Sequence, residues 1–574
     1  MRYKGHFNNS GWSIFVQNNQ VLRFDGCALE SLEIEDSKNN YSIEAFIENK
    51  WEKSSKVIGN EDEAKEIKGL SISISGKDEI VCYRLCDKDG NWTDFKSNGK
   101  RIKLKADDFI TGIQIFVSNK TDEAKLKKEA IENEDRAEEI RKRLFLKDNN
   151  QMVPRLCKNY MLKEKAKVTE IENGYILPLI KLEREGLRDG TFAGGVVDTQ
   201  KKYVTGSSRG IENYSCLESY DFEEYDEVEE EVVFGGIYIK NFGHFLVESI
   251  SRLWYFVENP NETRKIAILM IPGHKLSSYE LFELIGIDTS KIVIIEKPTK
   301  FKKIIIPDET MHLWKGYNDK YLSIYQKIAS NSGPSKYKKI YLTRHLLKNN
   351  DGINEEQLVN IYKKNGYKIV APEKYSLKQQ ISFIKGADEI ACTEGTLSHL
   401  ILFAKPTCKL TILRRDYYNY LYPQLIINDV TKIDVCYVDA TFNLLPIKHS
   451  GGVFLYGPTI EFIKYMKYKK LKYSEKDIKF NIKDYAGDYI QLWLKKYKPK
   501  RNFQSIEELE MIDVYECLDY AYEEFKKYQK QMKSIQKNKK RIKKIKKVVK
   551  KIDITPNKVL FKFCKKVYKR IKKH

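Results

Sequence analysis

Nowhere in the 574 residues does an apolar run approach the roughly 20 residues that a membrane-crossing helix needs. A charged-then-apolar leader is also missing, because Met1 to Trp12 is mixed and polar. Both absences argue against insertion or export and lead to the expectation of a cytoplasmic protein. Cys-x-x-Cys pairs are absent, as is any Cys/His spacing of a zinc site. The ten cysteines are scattered, with Cys82 and Cys86 the closest, so they read as reduced thiols rather than as a disulfide framework. What is present is a globular composition, 41% hydrophobic and 12% aromatic. The chain is too long for one ordinary domain, and three or four units are expected.

The net charge of +22 suggests nucleic acid until it is located. Residues 531–574 hold 19 of the 102 Lys and Arg and one of the 80 Asp and Glu. The body is therefore nearly neutral and the tail is the cation. Within the tail Ile535, Ile542, Ile545, Val549 and Ile552 recur at helical spacing, Pro556 interrupts, and a second apolar-basic segment runs from Val559 to Ile571. An isoleucine stripe among lysines suits an anionic membrane surface better than a phosphate backbone. The expectation is a peripheral protein at the inner face of the membrane that binds no nucleic acid. A nucleic-acid-binding protein is the rival reading, and it leaves residues 240–415 without a purpose.

The first 120 residues repeat. Tyr3, Tyr41 and Tyr83 each precede a tryptophan (Trp12, Trp51, Trp92) by nine or ten positions, and the tryptophans are 39 and 41 residues apart. Alternating apolar residues follow each one, as in Leu29, Leu32 and Ile34, or Ile110, Ile113 and Ile115. A period near 40 with strand-like alternation implies three β units sharing one core, a β-trefoil or β-prism-like module over 1–120. The fragments Gly11-Trp12 and Asn98-Gly99 resemble the tryptophan-rich repeats of secreted clostridial-type proteins. The tryptophans read first as core anchors and second as sugar-stacking platforms.

Residues 121–150 are rich in helix formers of mixed charge and read as a solvated connecting helix. Further on, β-branched apolar runs at 232–239, 266–271, 291–296, 303–306, 339–343, 367–370, 388–392 and 408–413 alternate with amphipathic segments. The helices expected between them are 241–257, 277–285, 318–330, 354–364, 376–386 and 396–404. Such alternation implies parallel sheets covered by helices, arranged as two Rossmann-like halves over 151–312 and 313–460. The acidic stretch Glu223–Glu231 is expected to be an exposed loop, 461–530 a helical extension, and 531–574 the basic amphipathic tail.

Three clusters carry candidate chemistry. His244, Glu248 and Arg252 are spaced by four and would share one helical face just after a buried strand. A histidine or a carboxylate there could take a proton from a hydroxyl; the plain alternative is an exposed face of ordinary ion pairs. Arg344 ends a strand, where its planar fork could hold a diphosphate. Asn354 with Gln357 has the form of a helix cap and its partner, and Ser376 with Gln379 repeats that signal. Glu394, Gly395, Thr396, Ser398 and His399 form a small-residue turn entering a helix, whose backbone N–H groups would favour phosphate. The single Asp-x-Asp, Asp87-Lys88-Asp89, lies in the repeat module, so no metal-anchoring motif stands in the catalytic region.

Together these motifs resemble the family 61 (DUF563) glycosyltransferases, whose bacterial members accompany capsular and cell-surface polysaccharide genes. The likeness spans about 190–440. It includes Gly-His-Phe-Leu-x-Glu-x3-Arg-Leu at 243–253, Tyr-Leu-Thr-Arg at 341–344, Asn354-Glu355, Gln380-x6-Ala387-Asp388 and Tyr437-Val438-Asp439. It departs where many members have a His-Gly-Ala turn, since this chain has Glu394-Gly395-Thr396. A second Arg before the Asn-Glu pair is replaced by Asn349 and Asn350. The resemblance implies an inverting, metal-independent transferase of the double-Rossmann GT-B type. Its donor would be a nucleotide-sugar and its acceptor a glycan or a lipid-linked sugar. His244 and Glu248 would be catalytic, Arg344, Glu394, Gly395, Thr396 and His399 would hold the donor, and Arg252, Asn354 and Glu355 would support or contact the acceptor. A non-catalytic carbohydrate-binding protein is the remaining alternative.

Overall fold

The computed structural model describes residues 1–59, 65–76, 78–181, 192–207, 220–276, 279–347, 351–415, 421–442, 452–497 and 530. Met1–Phe442 with Ile447–Phe480 form one compact unit, and Asn443–Pro446 with Asn481–His574 form a second. Of the helical extension, Ile460–Tyr468 belongs to the first unit and Lys483–Tyr497 to the second. The basic tail and residues 498–529 lie outside the described residues, as do Asn349 and Asn350.

The N-terminal region is all β. Three strands carry the repeat tyrosines, Arg2–Phe7, Tyr41–Ile47 and Glu79–Cys86. Each pairs antiparallel with the last strand of its own repeat, respectively Leu29–Glu35, Gly69–Ile74 and Gly112–Asn119. Each last strand also accepts a short strand from another repeat. Val57–Gly59 joins the first sheet, Ile102–Lys103 the second, and Val21–Arg23 the third, which closes the ring. No repeat completes its sheet alone, and their inward faces share one core that includes Leu32, Ile43, Ile72, Leu85 and Ile113. The tyrosine hydroxyls bridge these exchanges. That of Tyr3 donates to the Gln20 carbonyl and accepts from the Ile115 amide at 3.1 Å, and that of Tyr83 donates to the Lys100 carbonyl. Tyr41 departs from the pattern and donates to Asp36 at 2.9 Å.

The tryptophans are half-buried, and Trp92 packs against the main hydrophobic core. Each has a cation over one ring face, with Lys4 4.4 Å from Trp12, Arg101 4.4 Å from Trp51 and Arg84 4.6 Å from Trp92. A sugar would have to displace that cation to use the covered face, which disfavours them as stacking platforms.

The connecting segment is less solvated than its composition suggests. Helix Glu123–Arg141 buries Ala130, Ala137 and Ile140. It is tied to the β region by Arg84 to Glu134 at 2.7 Å and by Gln114 Nε2 to the Ala130 carbonyl at 2.9 Å. Leu144–Phe145 then adds an edge strand, parallel to Tyr437 and Val438, in a sheet formed almost 300 residues later in the chain.

The remainder is mixed α/β, and all eight expected strands form. In the first sheet the parallel order is Ile292–Ile294, Lys265–Met270, Asp226–Tyr238, Thr299–Pro307. Antiparallel strands Val168–Glu172, Tyr175–Lys181 and Phe192–Val197, which the apolar periodicity did not reveal, extend it. The acidic stretch is not a loop. From Asp226 it is the start of a 13-residue strand, its carboxylates neutralised by lysines on neighbouring strands, Glu227 by Lys300 at 2.6 Å and Glu230 by Lys265 at 2.8 Å. The second sheet is wholly parallel, in the order Lys368–Val370, Lys339–Leu342, Glu389–Thr393, Lys409–Arg414, Asp434–Asp439, Leu144–Phe145. The direction of winding reverses beside Asp226–Tyr238 in the first sheet and beside Lys339–Leu342 in the second. Open α/β sheets bind ligands at the carboxyl end of the strands at such a reversal. In the first sheet that point lies between the ends of Asp226–Tyr238 and Thr299–Pro307. In the second it lies between the ends of Lys339–Leu342 and Glu389–Thr393.

The seven cysteines among the described residues are free thiols, six of them buried. No helix among the described residues is long and apolar enough to cross a membrane.

Candidate active site

The segment after Asp226–Tyr238 was expected to be one helix over 241–257, but it is three pieces. Asn241 caps it, its side chain accepting from the amides of Gly243 at 3.0 Å and His244 at 3.5 Å. A first turn, Phe242–His244, passes into a π-helical turn at Phe245–Ser249, and regular helix resumes only at Trp254–Glu258. Widening a turn frees carbonyls that must find donors elsewhere. Two tyrosines one turn apart on helix Tyr321–Ser330 supply them. Tyr325 donates to the Leu246 carbonyl at 2.7 Å, and Tyr321 to that of Val247 at 3.0 Å.

This geometry presents the first expected pair. His244 Nδ1 lies 2.5 Å from Glu248 Oε2, the imidazole 46% exposed and the carboxylate only 4%. A carboxylate only accepts, so Nδ1 carries the hydrogen and Nε2 is the basic nitrogen. A buried carboxylate that fixes the tautomer of a half-exposed imidazole is the arrangement of a general base and its orienting partner.

Arg252 does not continue the face. The π turn shifts the helical phase, and the arginine is buried beneath the sheet ends. It donates to the carbonyls of Pro307 and Gly206, the latter at 2.6 Å, and reaches Glu309 at 3.6 Å. Gly236 admits it, since a Cβ there would stand 3.0 Å from its Cδ. Arg252 therefore braces the strand ends and stands apart from the other candidates.

The turn at Glu394–His399 meets the His244 segment directly. A Cβ on Gly243 would stand 2.8 Å from Thr396 Oγ1, so the absence of a side chain permits the approach. Gly395 has φ +114° and ψ −154°, a region that only glycine occupies readily. A Cβ on it would stand 2.9 Å from the Arg415 guanidinium. Glu394 is buried and accepts from the Arg415 amide at 3.2 Å. The helix begun at Thr396 is one turn long and passes into a 3₁₀ turn at Leu400–Phe403. It has too few aligned peptides to serve as a strong dipole.

His399 is not poised to contact a donor. It is buried, and its Nδ1 lies 2.9 Å from Gln424 Oε1. Burial pulls its pKa down to about 4, against the Gln424 hydrogen bond, with the charges of His244 and Arg415 pushing the same way as burial. It is a neutral packing residue between the His244 segment and Arg415.

Arg344, Asp351, Glu355, Thr393, Arg415 and Tyr456 close around a small cavity of about 30 Å³. Burial, and next the neighbouring Arg415, lower the pKa of Arg344, while Tyr456, Asp351 and Glu355 oppose them. Glu355 is buried and accepts from Thr343 Oγ1 at 2.8 Å and Tyr341 Oη at 3.2 Å. Desolvation raises its pKa despite those bonds. The expected cap at Asn354 is not made. With φ +62° its side chain turns away from the helix amides and donates to Gln357 Oε1 at 2.8 Å and to the Tyr456 carbonyl at 3.0 Å. The Ser376–Gln379 capping box does form. No group of three or more His, Cys, Asp or Glu that could hold a metal ion occurs among the described residues.

His244, Glu248, Gly395, Thr396, Arg344 and Glu355 thus belong to one contiguous chain of contacts, running from the first winding reversal to the second. Residues 242–411 match the family model described as Glycosyltransferase 61. The match supports a glycosyltransferase. It covers the His244, Arg344 and Glu394 clusters, and Arg415 and Tyr456 lie beyond its end. No curated protein matches the sequence. Arg415 had one available signal, in that it follows directly on a parallel strand of the second sheet, much as Arg344 lies just past another. Tyr456 had none, since it reaches the cavity on a three-residue strand, Phe454–Tyr456.

Proposed function

We propose that the chain is an inverting glycosyltransferase of the GT-B type that moves a sugar from a nucleotide-sugar to a glycan or lipid-linked acceptor in cell-surface polysaccharide synthesis. The observation that carries this reading is the His244–Glu248 pair, packed against the Thr396 turn whose other side touches Arg415. The two winding reversals support a double-Rossmann crevice, and the three strand-exchanging sheets support a prism-like module over 1–120.

In this mechanism the donor diphosphate lies across Arg344 and Arg415. Two like charges side by side disfavour each other, and a diphosphate between them reverses that cost. The acceptor hydroxyl enters from the first half. Its proton passes to His244 Nε2 while its oxygen bonds to the anomeric carbon, and the bond from that carbon to the phosphate oxygen breaks on the opposite face. Configuration inverts, and the charge on the departing diphosphate is stabilised by fixed guanidinium groups, with no metal required. Glu248 stabilises the imidazolium that forms.

A thermal-shift screen with UDP-, GDP-, CMP- and dTDP-sugars, followed by turnover of whichever donor binds, tests the assignment. The absence of both a shift and turnover with all four classes would refute it. Arg415→Ala is expected to raise the KM for the donor about tenfold and to shrink the nucleotide-induced shift. An unchanged donor KM would remove Arg415 from the diphosphate site.

The 531–574 tail is proposed to hold the enzyme against anionic lipid, each lysine near the surface gaining about 1 kcal/mol. The full chain should pellet with phosphatidylserine vesicles and much less with phosphatidylcholine vesicles, and a chain ending at residue 530 with neither. Equal pelleting of both chains would count against it.

A further inference from the structure

Leu313, Trp314 and Lys315 form the tip of the hairpin joining Met311–His312 to Gly316–Tyr317, and Trp314 is 62% exposed. The hairpin beneath it is rigidly held. A Cβ on Gly316 would stand 1.9 Å from the Tyr160 carbonyl, which accepts from the Tyr317 amide at 3.1 Å. Tyr317 Oη donates to Asp429 at 3.3 Å, and that same carboxylate oxygen accepts from the Tyr160 amide at 2.7 Å. Leu313 points inward and is buried. An indole left in water on a fixed turn is not there to pack the core.

Its only ring contact among the described residues is Tyr422, 5.4 Å away and tilted by 37°, with Tyr160 edge-on behind Tyr422 at 5.6 Å. The two rings come from segments that each follow a strand of a different sheet. Trp314 follows the carboxyl end of Thr299–Pro307, one of the two strands flanking the first winding reversal. The strand Met311–His312 leading into the tip packs against the π turn that carries Glu248. Thr310 at its base donates to the Ser251 carbonyl at 2.6 Å. Tyr422 opens the helix that follows Lys409–Arg414, and two residues on Gln424 meets His399.

We infer that Trp314, backed by Tyr422, is a stacking platform for a pyranose ring of the acceptor glycan. The C–H face of a pyranose is flat, weakly apolar and suited to an indole, while its hydroxyls stay in water at the ring edge. A nucleobase would also stack on an indole. The sugar is favoured because the strand leading into Trp314 packs against the π turn that carries Glu248, whereas the two arginines that draw a diphosphate follow strands of the second sheet. Identifying the bound sugar as the acceptor rests on the transferase reading; the platform itself does not.

The test is saturation-transfer NMR on the full chain with methyl glycosides of glucose, galactose, mannose and N-acetylglucosamine, beside thermal shifts with UDP and GDP. The wild type and His244→Ala are expected to saturate the ring C–H protons of at least one glycoside. Trp314→Ala is expected to weaken that signal about tenfold and Trp314→Phe to restore part of it. Nucleotide shifts and hydrolysis of the donor to water should be the same in Trp314→Ala as in the wild type. The platform is overturned if no glycoside is saturated by the wild type, if Trp314→Ala saturates as well as the wild type, or if Trp314→Ala loses the nucleotide shift, which would assign the ring to the base. A wild type that turns over no nucleotide-sugar, yet loses glycoside saturation on Trp314→Ala, would refute the transferase and leave the platform standing.

Discussion

Replacing His244 with alanine should lower the rate of sugar transfer about 10³-fold, within the range by which a positioned acid–base group accelerates proton transfer. The fold should hardly notice. The imidazole is half-exposed and its short bond to Glu248 ties it only to the neighbouring turn, so circular dichroism and melting temperature should match the wild type. Glu248→Gln keeps the size of the side chain but not its charge. The amide can present its NH₂ to Nδ1 and reverse the tautomer, so about a 10²-fold loss is expected. The two effects should not multiply. Once the imidazole is gone the carboxylate has nothing to orient, and the double variant should be about as slow as His244→Ala alone. Single-turnover kinetics at saturating donor would show both losses in the chemical step with little change in donor affinity. If both folded single variants transferred at full rate, His244 and Glu248 would have no part in the chemistry.

How much of this was readable beforehand depended on the range over which each feature is decided. Eight of the ten parallel strands in the first and second sheets were legible because a strand buried on both faces must be an unbroken apolar run, and such runs are local. The three β units were legible because a shared core forces each repeat to bury the same residues at the same spacing. The His244–Glu248 pair was legible because residues four apart share a face in any helix. Arg252 was misjudged for the same reason. The argument from spacing assumed an unbroken period, and the π turn is fixed by Tyr321 and Tyr325, about 75 residues further on, whose hydroxyls satisfy the displaced carbonyls.

Features decided across the fold were harder to see. Nothing near His399 announces that Gln424 will bond it and that burial will keep it neutral. Nothing in Asn354 states that its backbone will turn left-handed and send its amide to Tyr456. The two-residue strand Leu144–Phe145 has no periodicity of its own, and only the sheet edge at Asp434–Asp439 gives it a place. The acidic run at 226–231 looked like a loop because its neutralising lysines lie on strands 35 to 73 residues away. Charge within a strand says little about exposure until its neighbours are known.

The close approach of the His244 turn to the Thr396 turn supplies the second large effect. Gly243→Ala should slow transfer about 10²-fold without a comparable loss of stability. Alanine is the better helix former and the backbone at 243 lies outside the left-handed region, so local structure does not oppose the change. What opposes it is Thr396 Oγ1, 2.8 Å from the new methyl carbon. Either the His244 turn or the Thr396 turn must move by several tenths of an ångström. A displacement approaching 1 Å is enough to cost about 10²-fold when base, hydroxyl and anomeric carbon must align. The clash has a specific remedy. Thr396→Ala removes both the hydroxyl and the methyl that the new carbon would meet, so the double variant Gly243→Ala/Thr396→Ala should recover most of the rate that Gly243→Ala loses. Coupling of this sign, a second substitution that speeds the first, arises when two side chains compete for one space. If Gly243→Ala transferred normally, or if Thr396→Ala only deepened its loss, the contact between these two turns would not be what aligns the reacting groups.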